Sequence, residues 1–246
     1  MSTLRRSRYR YLIPNGITFL SLSAGVASIL FSAQGFLFGA GLLIMSSYIL
    51  DLLDGELARR LDASSSFGLQ LDSLVDIVAL GTAPAVFAFT HLDAGDAVPL
   101  VFVWPSVLLY VVAGAFRLAR FNLLPEKEGQ TTSVGLTIST AGATLTLAIL
   151  SDLSLPGEVA PEEAFLLLLL ALAALMASRI PYPSIVWLFS NRLVNVLYLL
   201  YLIVTLVVLR LPFWTVWFIF NSGFLFAGLA RVALKQASSR AREEAP

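Results

Sequence analysis

Four of the five aspartates in the stretch DLLDGELARRLDASSSFGLQLDSLVDIV, namely Asp51, Asp54, Asp72 and Asp76, recur at helical spacings. The chain around them is apolar: of 246 residues, 58% are hydrophobic and 13% charged, with a mean hydropathy of +0.84. A carboxylate near the middle of a bilayer costs about 2.5–3.5 kcal/mol on insertion scales, so this grouping needs something to offset it. On a helix, residues three, four and seven apart share a face. Asp51, Asp54, Gly55 and Ala58 therefore form one stripe, and Gly68, Asp72 and Asp76 form another. The link LDASSS permits an antiparallel turn, and its serines can cap the second helix. The two stripes can then face each other near one membrane boundary. Converging carboxylates repel unless cations sit between them. An all-oxygen donor set suits hard cations such as Mg²⁺, Mn²⁺ or Ca²⁺, and four acidic ligands are enough for a two-metal site. Gly55 and Ala58 leave the stripe bare beside such ions, so a bulky ligand group can approach the backbone. Arg59 adds a positive charge at the rim, suited to a phosphate.

The elements that must position these residues are membrane helices. A water-soluble domain carries about 25% charged residues, and this chain has about half that. Runs such as AFLLLLLALAALMA and VLYLLYLIVTLVVL approach the ~20 apolar residues that a spanning helix needs. The absence of cysteine excludes disulfides and thiolate chemistry, and the single histidine, His91, leaves little room for imidazole-based sites. The start, MSTLRRSRYRYLIPNG, reads as the approach to a first span rather than as a cleaved signal. Eight apolar segments are expected, roughly at 12–32, 35–58, 67–90, 98–119, 132–151, 163–180, 193–209 and 212–232. The fold class is therefore all-α, a polytopic transmembrane bundle of about eight spans. Threaded from an inside N-terminus, 15 of the 16 Lys and Arg residues lie on the inner side. That agrees with the positive-inside rule and puts both termini and the acidic stripes at the cytoplasmic face of the inner membrane. With a formal net charge of zero, no nucleic-acid partner is expected.

Two other readings of the aspartates stand beside the metal site: a proton or sodium pathway, as in an ion-coupled transporter, and structural ion pairs with Arg59 or Arg60. His91 is expected in an outer loop, away from the acidic stripes. The RRSRYR run suits an interfacial grip on anionic lipid. Trp104, Trp187, Trp214 and Trp217 fall near span ends or within apolar runs, where packing or interface anchoring suffices.

The acidic stretch also resembles the signature of the CDP-alcohol phosphatidyltransferase family, Asp-x2-Asp-Gly-x2-Ala-Arg-x8-Gly-x3-Asp-x3-Asp. Asp51, Asp54, Gly55, Ala58, Arg59, Gly68, Asp72 and Asp76 meet every spacing. IPNGITFLSLSAG is similar to the family's first span, and LVDIVALGTAPA, AGAFRLARFN and SRIPYPS resemble its phosphatidylserine synthase branch. The chain departs from that branch at Thr137, where a Gly-Leu-Pro motif would place proline. The resemblance implies a membrane core over 1–192 and an added helix pair with a basic tail over 193–246. It implies transfer of the phosphatidyl group from CDP-diacylglycerol to a small alcohol, serine favoured, with release of CMP. Phosphatidylcholine synthase, which uses choline, shares the signature. By the same analogy Asp51, Asp54 and Asp72 would be the main ligands of two divalent cations, and Asp76 would be both ligand and base. Asn15, Thr18, Gly55, Ala58, Arg59 and Gly68 would line the CDP pocket, and the enzyme would be a homodimer among membrane lipids. Arg117, Arg120 and Asn122, at the inner end of the fourth span, could bind an acceptor carboxylate or a lipid phosphate, or could be ordinary positive-inside anchors. Arg179 and Tyr182 invite the same pair of readings.

Overall fold

The structure, a computed structural model, describes residues 2–61, 63, 65–95, 97–123, 132–157, 160–183, 212–223 and 225–226. Helix α1 spans Ser2–Ala33 and α2 spans Leu37–Arg60. Helix α3 (Ser66–Asp76) runs through a π-helical segment, Ile77–Thr82, into α4 (Ala83–Gly95). Helix α5 covers Leu100–Leu123, α6 Ile138–Ser154 and α7 Glu162–Ala177. Residues 213–223 are also helical. Two short strands, β1 (Thr132–Val134) and β2 (Pro181–Pro183), pair antiparallel with Ser133 opposite Tyr182.

Among the described residues, four stretches are long and apolar enough to cross a membrane: Tyr11–Ala33, Leu37–Arg60, Ser66–Gly95 and Leu100–Leu123. They expose large apolar side chains that water would disfavour, among them Leu30, Val101, Phe102, Leu108 and Val112. The protein is thus a helical membrane protein. Helix α6 is shorter, and every residue from Thr140 to Ser151 is buried, as expected of a helix ringed by others. The expected span at 193–209 lies outside the described residues, as do 224 and 227–232 of the span expected at 212–232. Within the latter, Trp214 and Trp217 pack with Phe213, and Trp217 also faces Tyr48 of α2.

Two expectations need correction. Residues 132–137, assigned to a span, instead form β1 and a turn in which Gly135 has φ +79°. Thr137 follows as the N-cap of α6, its hydroxyl accepting from the Thr140 N–H at 3.2 Å. Glycine at 135 permits the left-handed backbone, and the Gly135 N–H bonds the Ile180 carbonyl at 2.8 Å. His91 lies within α4 rather than in an outer loop. Its ring is 3.6 Å from the Asp152 carboxylate on α6 and edge-on to Phe165 on α7. It therefore joins three helices, at a place the periodicity alone could not assign.

Helices approach closely around the π segment. A Cβ on Gly25 of α1 would meet Ala79, and one on Gly81 would stand 2.8 Å from Ile138 Cδ1. At Gly142 of α6 an added Cβ would collide with the Leu80 carbonyl oxygen, and backbone cannot swing aside as a side-chain tip can. Overpacking of this kind costs about 1–3 kcal/mol. Gly142→Ala should therefore lower the midpoint of thermal unfolding in detergent by several degrees. Gly223→Ala, where an added Cβ meets nothing within 4 Å, should leave that midpoint in place.

Candidate active site

Asp51 sits on α2 about two and a half turns before its end. Asp72 is in the second turn of α3, and Asp76 closes that helix just before the π segment. The start of α3 is fixed by Ser65, an extended N-cap residue whose hydroxyl accepts from the Gly68 N–H at 3.0 Å. Helix α1 lies against both α2 and α3, so the two acidic stripes converge across a frame that α1 helps to hold. One carboxylate oxygen from each of Asp51, Asp72 and Asp76 comes within 4.8 Å of the others. Asp51 and Asp72 are half-buried and Asp76 is buried. Asp76 Oδ1 is enclosed and has no hydrogen-bond partner. An enclosed carboxylate oxygen with no donor costs about 1–3 kcal/mol or more, and a cation in the cluster would remove that penalty. The all-oxygen donor set fits a hard divalent ion.

Asp54, the fourth carboxylate of the motif, stands outside this trio and is buried. Its Oδ2 accepts from the Thr18 hydroxyl of α1 at 2.6 Å. Beside it opens a cleft of about 710 Å³. Asn15, Thr18, Gly55, Ala58, Arg59 and Gly68, the residues expected to line a nucleotide pocket, all border it, together with Asp54 and Asp72. A Cβ on Gly55 would meet only Arg59 Nη1, at 3.8 Å, so this stretch of α2 is bare towards the cleft. At Gly68 a Cβ would stand 3.1 Å from Ser65 Oγ and 3.4 Å from Asn15 Oδ1; a side chain there would crowd both the cap and the cleft wall.

Arg59 and Arg60 do not pair with the aspartates. Both guanidiniums bond Glu56, at 2.8 and 2.7 Å, on the exposed end of α2. The reading in which these arginines neutralise the acidic stripes is therefore set aside. Arg59 remains at the cleft rim, and Glu56 sets its direction. Sequence reasoning passed over Glu56, although its spacing of three and four to the two arginines is a readable helix pairing. It also passed over Ser65 and Gln70 as cleft residues and over the π segment, which has no residue signature.

The inner end of α5 divides the roles of its two arginines. Arg117 is buried and interacts electrostatically with Asp76. Arg120 donates to the carbonyls of Val134 at 3.0 Å, Ser178 at 2.8 Å, Ala177 at 3.2 Å and Met176 at 3.4 Å. It thereby gathers orphan carbonyls at the end of α7 and ties them to β1. Asn122 donates to Ser73 Oγ of α3 at 3.1 Å, joining α5 to the helix of Asp72 and Asp76. Arg179 is exposed, whereas Tyr182 is buried with its hydroxyl unpartnered.

Residues 11–177 match the CDP-alcohol phosphatidyltransferase family profile, a stretch that includes every residue of the cleft and of the carboxylate cluster. The chain belongs to this family of membrane enzymes. Among its relatives, it is similar to the CDP-diacylglycerol–serine O-phosphatidyltransferase of Helicobacter pylori. The two are 35% identical over 182 residues, 71% of this chain and 73% of that one. The Mycobacterium leprae protein of the same name is 42% identical over 120 residues, 49% of this chain and 39% of that one. The archaetidylserine synthase of Methanothermobacter thermautotrophicus is 34% identical over 179 residues, 70% of each chain.

The bare wall at Gly55 makes a direct test of the cleft. Gly55→Leu places a side chain into open space, so the fold and its thermal midpoint should be retained. Binding of a CDP-alcohol donor, titrated by calorimetry, should weaken by about tenfold or more, or ~1.4 kcal/mol.

Proposed function

We propose that the protein transfers the phosphatidyl group of CDP-diacylglycerol to the hydroxyl of L-serine, giving phosphatidylserine and CMP. The observation that carries this reading is the carboxylate trio standing beside a cleft bordered by the signature residues of α1, α2 and α3. The names of its relatives in Helicobacter, Mycobacterium and Methanothermobacter favour serine as the acceptor. Asn15, Gly55, Ala58, Arg59 and Gly68 receive the cytidine diphosphate, with Gly55 and Ala58 allowing it to approach the α2 backbone. Asp51, Asp72 and Asp76, joined by Asp54, would hold two divalent cations. When bound, such ions neutralise the diphosphate and polarise the phosphorus under attack. A P–O bond to the serine hydroxyl forms as the bond to the cytidylate oxygen breaks, and the hydroxyl proton passes to Asp76.

The cleft is bordered by Asp54 and Asp72, whereas Asp76 lies off its lining and interacts electrostatically with Arg117. In this reading donor and acceptor approach the carboxylates from different sides, as an in-line displacement requires. Arg117 supplies the positive charge for serine's carboxylate. Arg120, whose donors are taken up by backbone carbonyls, supports the frame instead. The site lies at the cytoplasmic boundary of the inner membrane, in keeping with the inward bias of the basic residues. The eight-span count, the division at residue 192 and a homodimeric state belong to the same reading.

Purified protein supplied with CDP-diacylglycerol, serine and Mn²⁺ or Mg²⁺ should release CMP, and a chelator should stop it. Turnover with choline and none with serine would replace the acceptor. Solute flux in liposomes without CMP release would replace the reaction class. Asp76→Asn should lower turnover by about 10²–10⁴-fold while donor binding persists. Arg117→Ala should raise the serine KM by about 10–150-fold, the range for a lost hydrogen bond between charged groups. Arg120→Ala should instead lower the thermal midpoint, with a smaller change in serine KM.

A further inference from the structure

We propose that Thr18 of α1 is a positioning residue for the cation site, fixing the Asp54 carboxylate rather than contacting the nucleotide. The inference rests on the reading of the carboxylate cluster as a cation site. Thr18 is 5% and Asp54 4% exposed, and Thr18 Oγ1 stands 2.6 Å from Asp54 Oδ2 and 3.0 Å from the Pro14 carbonyl. A threonine hydroxyl has one proton. The shorter contact, to an acceptor that carries charge when ionised, takes it. A diphosphate in the cleft offers acceptors only, so Thr18 cannot serve it as a donor while it holds Asp54.

Asp54 needs such a partner because the other carboxylates do not supply one. It lies outside the trio of Asp51, Asp72 and Asp76, and neither Arg59 nor Arg60 turns to it. With Oδ2 engaged by Thr18, rotation of the Asp54 carboxylate is restricted. Asp76 Oδ1, nine-tenths buried and without a donor, marks the same region as one completed by a cation. The bond also crosses from α1 to α2 and so makes the ligand geometry depend on the packing of the first two helices. Outer partners that orient metal-binding side chains are worth about 10–100-fold in metal affinity or activity.

The test uses the full chain in detergent, with Mn²⁺ alone as the probe, followed by electron paramagnetic resonance without substrate. Thr18→Val removes the hydroxyl at nearly constant shape and should weaken Mn²⁺ binding by about 10–100-fold. It should raise the Mn²⁺ needed for half-maximal CMP release in parallel, with the serine KM unchanged. Thr18→Ser, which keeps the hydroxyl, should restore most of the affinity. If Thr18→Val does not fold, Thr18→Ala takes its place, since it removes the same hydroxyl without adding bulk. Mn²⁺ binding equal to wild type in the hydroxyl-free variant, with weakened CDP binding, would make Thr18 a nucleotide contact and overturn the proposal. No Mn²⁺ binding by the wild-type protein would instead overturn the cation reading beneath it, and the proposal with it.

Discussion

The structure turns on mutual repulsion among carboxylates held inside an apolar bundle. Three carboxylates within 4.8 Å of one another are unfavourable in any medium, and more so where the effective dielectric is low. Arg59 and Arg60 do not relieve this, because both turn to Glu56. Among the described residues the positive charge set against the cluster is Arg117, on one side of it. That leaves an arrangement completed by cations and by a phosphate-bearing ligand, which is the logic of a transferase site rather than of a structural ion-pair network.

What holds the carboxylates against that repulsion is close helix packing around the π segment. Asp76 directly precedes it, and Gly25 on α1 and Gly142 on α6 let those helices come close to the backbone of Ala79 and Leu80 there. A π turn widens the hydrogen-bond ladder and shifts the register of all that follows. Here the Thr82 hydroxyl bonds the carbonyl of Ile77, five residues back, at 2.9 Å. The face that carries Asp72 and Asp76 is thereby uncoupled from the face of α4 that fills the core. One continuous stretch can then present carboxylates at one end and apolar packing at the other.

Much of the site was legible in the sequence because a helix converts spacing into a face. The stripes of Asp51, Asp54, Gly55 and Ala58, and of Gly68, Asp72 and Asp76, needed only the 3.6-residue period, and a serine cap before α3 needed only its preference for N-termini. Contacts between elements distant in the chain were not legible. Spacing cannot say that Thr18 meets Asp54 thirty-six positions away, that Arg120 gathers carbonyls from α7 and β1, or that His91 lies against Asp152. Arginines at positions 117 and 120 read alike as cations at one helix end. Only the three-dimensional environment separates the one facing a carboxylate from the one facing backbone oxygens. The strand at Thr132–Val134 was misread because apolar flanks extended the span over it, whereas Gly135, with its left-handed backbone, begins the turn instead.

Proline at position 14 gives α1 an uneven stiffness. With no N–H to offer, it leaves the carbonyl four residues earlier without its helical bond, close to where Tyr11–Ala33 becomes apolar enough to span. Thr18 lies one turn deeper, on the stiff side of that joint. The interrupted ladder therefore lies N-terminal to the bond between Thr18 and Asp54, so a bend of the helix at Pro14 need not displace that buried hydroxyl from its carboxylate.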